Sequence, residues 1–359
     1  MGSGAFEAGM ASHAMGVQGV AGSGRAQVRA WREIIAKYRV SSTARALWQV
    51  ANTFIPYVAL WAAMWWSAHH ATYWLTIPLA VIAGLFLIRI FIIFHDCGHG
   101  SFFKSRWAND ALGIIAGFLT FTPYYQWRWE HAIHHSTAGH LDKRGIGDIW
   151  TMTVQEYLES GRLKRFAYEL ARHPFMLFVL APIYMFLIHQ RFSTKGSNER
   201  ERLSVWWTNL GLLLMMIGLT WLYGFWDYFV IQLIPIMVAG SIGVWMFYVQ
   251  HQFEDVYWER GSQWDYAQAA LRGSSFYKLP SLLQWFSGNI GFHHIHHLSA
   301  RIPNYNLQQA HEAEPIFQQV KPLTLWASFK TANLRLWDEG SRKLVSYRQA
   351  RELKKQAKR

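Results

Sequence analysis

The chain has 359 residues, of which 52% are hydrophobic and only 16% charged, and its formal net charge is +13. A soluble domain is about 25% charged, so a membrane protein is expected, and the 20 Trp, 23 Phe and 16 Tyr suit rings at membrane–water boundaries. The single cysteine, Cys97, excludes an intramolecular disulfide and any iron–sulfur or multi-thiolate zinc site built by this chain alone; no basic recognition motif accompanies the charge, so no nucleic-acid partner is expected.

In chain order, residues 1–24 are rich in Gly, Ala and Ser without an apolar core, and read as a disordered leader rather than a signal peptide. Residues 25–45 are a basic segment, and the run Lys354–Arg359 is basic too. Such ends favour the cytoplasmic face, beside anionic headgroups. A membrane domain is expected over 46–312, with a cytoplasmic C-terminal segment and basic tail over 313–359. Four segments are long and apolar enough to cross a bilayer, which takes roughly 20 helical residues. They lie near Leu47–Trp66, Tyr73–Phe94, Val205–Tyr223 and Tyr228–Val249. Two shorter runs, Ala111–Tyr124 and Pro174–His189, have the length of re-entrant or interfacial helices, and Pro182 interrupts the second. The expected fold is an all-α integral membrane protein with four transmembrane helices, re-entrant or interfacial helices, and a cytoplasmic helical cap that holds a histidine-rich site.

That site is suggested by three clusters: His95-Asp96-Cys97-Gly98-His99, His131-Ala132-Ile133-His134-His135 and His293-His294-Ile295-His296-His297. The spacings are HxxxH, HxxHH and HxxHH, with His294 outside the pattern. Helical positions i, i+3 and i+4 fall within an arc of roughly 100°, so each cluster can aim its histidines into one shared space. Neutral imidazole is the commonest metal ligand. Eight imidazoles exceed the roughly four to six ligands of one ion, which points to two metals. With the basic N-terminus inside, four spans return every cluster to the same face. Counting just one of the short runs as a span splits the clusters across the membrane.

A nitrogen-only site suits iron, zinc, copper or nickel. Zinc has no redox chemistry, structural zinc normally takes four ligands, and the protease pattern HExxH is absent. Oxygen chemistry at non-haem iron fits a redox metal beside a hydrophobic channel. Two irons could share the electrons needed to reduce O2 and leave an oxidant for an unactivated C–H bond.

The residues around the clusters resemble the membrane-bound fatty acid desaturases, most closely the bacterial acyl-lipid desaturases, over roughly residues 45–312. The resemblance rests on His95 through Phe103, His131 through Thr137, Leu141-Asp142-Lys143-Arg144-Gly145 and Gly147-Asp148-Ile149-Trp150. It continues through Tyr248-Val249-Gln250-His251-Gln252-Phe253-Glu254-Asp255, Gly288 through His297, and Arg301-Ile302-Pro303-Asn304-Tyr305. It implies two iron ions bound by His95, His99, His131, His134, His135, His293, His296 and His297, with His251 as one further ligand. In some relatives an asparagine four residues before that extra histidine helps hold a metal through water; Phe247 stands there, so no such ligand is assigned.

Asp96, Asp148, Glu254, Asp255 and Asn289 are candidates to accept the other ring N–H of the ligating imidazoles. Asp142 and Arg144 could pair with each other or meet a headgroup or donor protein. Cys97 reads as a small packing residue. His13, His69, His70, His140, His173, His189, His294 and His311 read as surface, interfacial or outward-pointing, with His140 the first candidate for an exception. The tail Arg342–Arg359 reads as a charged, helical surface segment.

The expected reaction removes two hydrogens from an acyl chain of a membrane lipid to give a cis double bond, with O2 as co-substrate and two external electrons. Neighbouring methylenes are chemically alike, so selectivity must come from positioning in a bent apolar tunnel. No His-Pro-Gly-Gly pattern of a fused cytochrome b5 is present, and the resemblance implies a separate, ferredoxin-like electron donor. The implied location is a bacterial inner membrane, with the boxes and both termini cytoplasmic. A hydroxylase or ketolase on the same scaffold is the nearest alternative. A non-enzymatic metal-binding membrane protein is another, and the absence of carboxylates from the four assigned spans argues against transport.

Overall fold

The computed structural model describes residues 33–70 and 73–356; the leader over 1–24 lies outside the described residues. After a short helix over 33–38 come α1 (Thr43–His70) and α2 (Tyr73–His99), which form the first long hairpin. Next are α3 (Arg106–Leu119) and α4 (Tyr124–Thr137). A bent pair follows, α5 (Arg162–Ala171) and the run Met176–Arg191, and then the second hairpin, α6 (Glu199–Tyr223) and α7 (Phe225–His251). Shorter helices follow, among them α8 (Ser281–Phe286), α9 (His293–Leu298), α10 (Asn304–Ala313) and α11 (Tyr347–Gln356).

Among the described residues three helices, α2, α6 and α7, are long and apolar enough to cross a membrane, and a fourth candidate exists if α5 and Met176–Arg191, bent by 61°, count as one broken span. The expected span near Leu47–Trp66 forms as α1, 28 residues long, but it is not among these three. Gln49, Asn52, Thr53, Ser67, His69 and His70 dilute its apolar character, and Gln49, Thr53 and Ser67 are buried inside the molecule. The run expected over Ala111–Tyr124 breaks instead at Phe121, whose φ is 55°, and Pro123 starts α4. The run around Pro182 is helical with widened turns on both sides, over Met176–Leu180 and Tyr184–Ile188.

The expectation of an all-α chain needs one correction. Among the described residues five short strands form: β1 (Met152–Thr153), β2 (Phe276–Lys278), β3 (Pro322–Thr324), β4 (Leu336–Asp338) and β5 (Lys343–Val345). They make a sheet of order β1-β4-β5 and a pair β2-β3. Runs of two or three residues carry too little alternation to be read as strands. The C-terminal segment is consequently tied by β4 and β5 to β1, near the second histidine cluster in sequence. The molecule is mostly helical, with these sheets as clasps.

The two hairpins meet at both ends. At one end the Tyr73 phenol donates to the Asp227 carboxylate, and His69 Nε2 lies 3.7 Å from Asp227. At the other end lie His95 and His99 of α2 and His251 of α7. Between them α2 and α7 pack closely: a Cβ at Gly84 would lie 2.7 Å from Val238 side-chain atoms. Ala80, Ala83, Leu87, Ile90, Ile93, Phe94 and Cys97 of α2 are all buried in the core this builds. The long helices thus hold the histidine-bearing ends together.

Candidate metal centre

The nine histidines converge, but the clusters do not act as units. His95, His99, His131, His135 and His296 offer ring nitrogens that all lie within 4.8 Å of one another, and His134, His251 and His297 form a second such group. His293 joins the second, its Nε2 2.9 Å from His251 Nε2. Helix geometry explains the split. Consecutive residues point about 100° apart, so i and i+4 differ by about 40° while i+3 and i+4 diverge by about 100°. His131 and His135 therefore face one nest and His134 the other. On α9 the assignment is reversed: His293 and His297 face the second nest and His296 the first. The nests touch where the His135 and His297 rings stack at 4.2 Å.

Local contacts fix four of the rings. His95 Nδ1 lies 3.1 Å from Asp96 Oδ1, and His134 Nδ1 lies 2.9 Å from Asp148 Oδ1. His251 Nδ1 is 3.3 Å from the Gly273 carbonyl, which turns its Nε2 toward His134 at 3.2 Å. Trp127 stacks on His131 at 4.4 Å, and Phe247 packs against both His134 and His251 at 5.1 Å. The third box is held from outside its helix. Gly288 and Asn289, with φ of 53° and 61°, turn the chain out of α8. Gln250 Nε2 donates to the Ile290 carbonyl at 3.0 Å, and the Tyr266 hydroxyl donates to the His297 carbonyl at 2.7 Å. Asp96 Oδ2 accepts the Asn304 N–H at 2.6 Å, so one carboxylate serves the first box and the start of α10.

The donor set fits metal ions. Burial first, and neighbouring imidazoles second, hold His131, His135, His293, His296 and His297 well below the ordinary histidine range. Neutral imidazole is the ligating form. His99 Nε2, His135 Nδ1, His293 Nδ1, His296 Nδ1 and His297 Nε2 are buried without a hydrogen-bond partner. Ring nitrogens face each other at 3.1 Å between His131 and His135 and between His135 and His296. Ligands about 2.1 Å from an ion would stand about 3–4 Å from one another, as these atoms do. Buried ring nitrogens without a partner are costly unless a cation or a donor satisfies them.

Comparison with known proteins agrees. Residues 72–326 match the family described as "Fatty acid desaturase". A fatty acid desaturase of Bacillus subtilis (strain 168) is 48% identical over 314 residues, covering 88% of this chain and 89% of that protein. The chain belongs to the fatty acid desaturase family. Two cyanobacterial relatives extend the comparison. An sn-1 oleoyl-lipid 12-desaturase of Synechocystis sp. is 30% identical over 241 residues, 66% of this chain and 68% of that one. An sn-1 acyl-lipid omega-3 desaturase (ferredoxin) of Nostoc sp. (strain 36) is 28% identical over 255 residues, 67% of each. The histidine clusters suggest a metal site typical of desaturases, in a membrane oxidoreductase of this family.

Other expected site residues of the desaturase lie elsewhere. Glu254 and Asp255 are exposed and pair with Lys343 at 3.4 and 3.2 Å, so the structure does not bring them to a histidine. They follow His251 by three and four residues, but the helix stops at that histidine and the chain turns outward. Asn289 accepts from Gln284 at 3.0 Å and donates to the Asn304 carbonyl at 3.3 Å, shaping the turn rather than touching a ring. Asp142 and Arg144 do not pair together: Asp142 meets Arg260 at 2.7 Å and Arg144 meets Glu156 at 2.6 Å. Cys97 is buried in the core. His140 is buried against Trp264 and accepts from the Asp142 N–H, away from both nests. His294 is buried beside His311, and burial pushes its pKa down to about 3. Trp127, Tyr266 and the Gly273 carbonyl were not anticipated; only Trp127, four residues before His131, carried a spacing signal.

Proposed function

We propose that this desaturase holds two iron ions, one per nest. His95, His99, His131, His135 and His296 would ligate the first, and His134, His251, His293 and His297 the second. The supporting observation is the division of nine imidazoles into two touching groups of five and four. A bound pair of irons would supply the redox capacity to reduce O2 to water while hydrogen is taken from an unactivated methylene. The balance is –CH2–CH2– + O2 + 2 e⁻ + 2 H⁺ → –CH=CH– + 2 H2O, with the new bond cis.

The chain's own residues orient and shield. Asp96 and Asp148 hold the His95 and His134 rings by their outer nitrogens, leaving the inner ones for ligation. His134, His251 and His297 are fully buried, which keeps bulk water from the second nest, whereas His99 and His131 are partly exposed at the first. The ends of α2 and α7 set both nests just above the lipid. The cyanobacterial relatives, oleoyl-lipid and acyl-lipid desaturases, support a glycerolipid-linked acyl chain as substrate. The name that includes ferredoxin supports a separate, ferredoxin-like donor. The basic ends and the gathering of every box at one end of the hairpins support four spans, with boxes and termini in the cytoplasm of a bacterium and the chain in its inner membrane. In this reading, residues 46–312 are the membrane domain and the short helices between α7 and α10 cap the irons.

Lipid analysis of cells expressing the chain with an active ferredoxin system tests the reading. New cis-unsaturated chains, absent in H134A and H296A variants, are expected. Hydroxylated chains in their place would assign a hydroxylase, and zinc as the only metal in active protein would overturn the two-iron centre.

A further inference from the structure

Arg172, at the end of α5, is 2% exposed. Its hydrogen-bond partners are all neutral: the Gln252 side-chain carbonyl at 2.8 Å, the Leu334 carbonyl at 3.0 Å, and the Tyr248 hydroxyl and Trp150 carbonyl at 3.4 Å each. Its Nε has no partner. A buried cation without an opposing carboxylate is costly to keep, and this one is held by these neutral acceptors and by the Tyr248 ring, 5.2 Å from its Cζ.

The places it ties together share one property. Gln252 follows His251 directly and terminates its helix. Trp150 lies two residues beyond Asp148, the acceptor for His134. Gln252 Nε2 also donates to Thr151 Oγ1 at 3.1 Å, closing the link between the two segments. His134 and His251 both belong to the second nest and face each other at 3.2 Å. In the first nest four of the five histidines stand on the regular helices α2 and α4.

We propose that Arg172 is a positioning residue for the second nest. Its guanidinium sets the His251 helix end against the loop that carries Asp148, and thereby determines whether that nest retains its ion. The same group recruits a part of the chain that lies past the family match at residue 326. Leu334 is one of its acceptors, and Arg335 donates to the Arg172 carbonyl while accepting from the Tyr168 hydroxyl. The Tyr168 hydroxyl also accepts the Met152 N–H at 3.2 Å, on the strand that β4 pairs with. The C-terminal sheet is therefore scaffolding for the second nest.

The inference rests on the two-iron reading, and the test separates them. Full-length protein purified with ⁵⁷Fe is assayed for iron per chain and by Mössbauer spectroscopy. Wild type is expected to carry two irons with two resolved signals; a single iron in active wild type would overturn the two-nest reading and this inference with it. In R172M the affinity for one ion is expected to fall roughly 10–100-fold, leaving about one iron and one of the two signals. Q252L, which keeps Arg172 and removes its shortest hydrogen bond, the one to the residue that ends the His251 helix, is expected to lose the same signal. R191M is the control. Arg191 is a comparable internal arginine, bonded to Asn209 at 3.0 Å and to the Phe121 carbonyl, with no tie to either nest. It should cost thermal stability and keep both irons. Two irons with unchanged signals in R172M and Q252L would overturn the positioning role and leave the two-nest reading standing. Equal loss of both signals in all three variants would overturn it as well, because that is the result of general unfolding.

Discussion

The two nests use the same ligand type and touch at one ring pair, yet they are built in opposite ways. The first takes His95 and His99 from one long helix, His131 and His135 from another, and only His296 from elsewhere. Its geometry is inherited from helical spacing, and two of its rings are partly exposed. The second is assembled from the end of α7, one face of α4 and the short α9, all of it buried. Its rings are placed by Asp148, the Gly273 carbonyl and the Tyr266 hydroxyl, contributed by loops and a short helix. Regular structure can hold a ligand set by itself, whereas a set drawn from chain ends needs clasps from distant parts of the sequence.

The largest effect that tests this contrast comes from neighbouring residues. H134A and H135A each remove one imidazole from the same turn of α4, but from different nests. Both are expected to bring unsaturated product below detection. Each should keep one iron, and the two variants should lose opposite Mössbauer signals; loss of the same signal would refute the division. Next are the carboxylates. D148A is expected to weaken metal binding or activity roughly 10–100-fold, confined to the second nest. D96A should do the same at the first nest and add a stability loss of about 1–3 kcal/mol, because it orphans the buried Asn304 N–H. Iron titration and chemical denaturation separate these two effects. Treatment with a soluble chelator should remove iron in two phases, the partly exposed first nest emptying before the second.

Legibility in the sequence followed the same division. The histidine spacings and the four long helices could be read from local periodicity, because helix geometry is local, whereas the grouping of boxes at one end was reached only by assuming that they share a site. The sorting within each box could have been read too, since it needs only the 100° step between His134 and His135. What could not be read was non-local. Nothing near Glu254 or Asp255 signals that the helix ends at His251 and turns them toward Lys343. Nothing near Tyr266 signals that its hydroxyl reaches His297, 31 residues away. The strands of two or three residues exist only as pairings between distant segments, β1 with β4 and β2 with β3. Phe247 was legible as a departure from an asparagine, and the structure gives it a role of its own, as a ring packed on both His134 and His251.

The smallest expected effect is the most discriminating for the clasp idea. Tyr266 is half-buried, and its hydroxyl donates to the His297 backbone carbonyl rather than to a ring nitrogen. Y266F removes only that hydroxyl and leaves the ring packing intact. One neutral hydrogen bond contributes about 1 kcal/mol, so a thermal shift of about 2–4 °C is expected. If the clasp only stabilises the fold, iron occupancy and rate stay at wild-type values. If it places His297, the second nest's Mössbauer signal broadens or shifts while the first nest's does not. A change in both signals would mean that the His135–His297 stack at 4.2 Å transmits the displacement from one nest to the other, making the two ligand sets one mechanical unit despite their different construction.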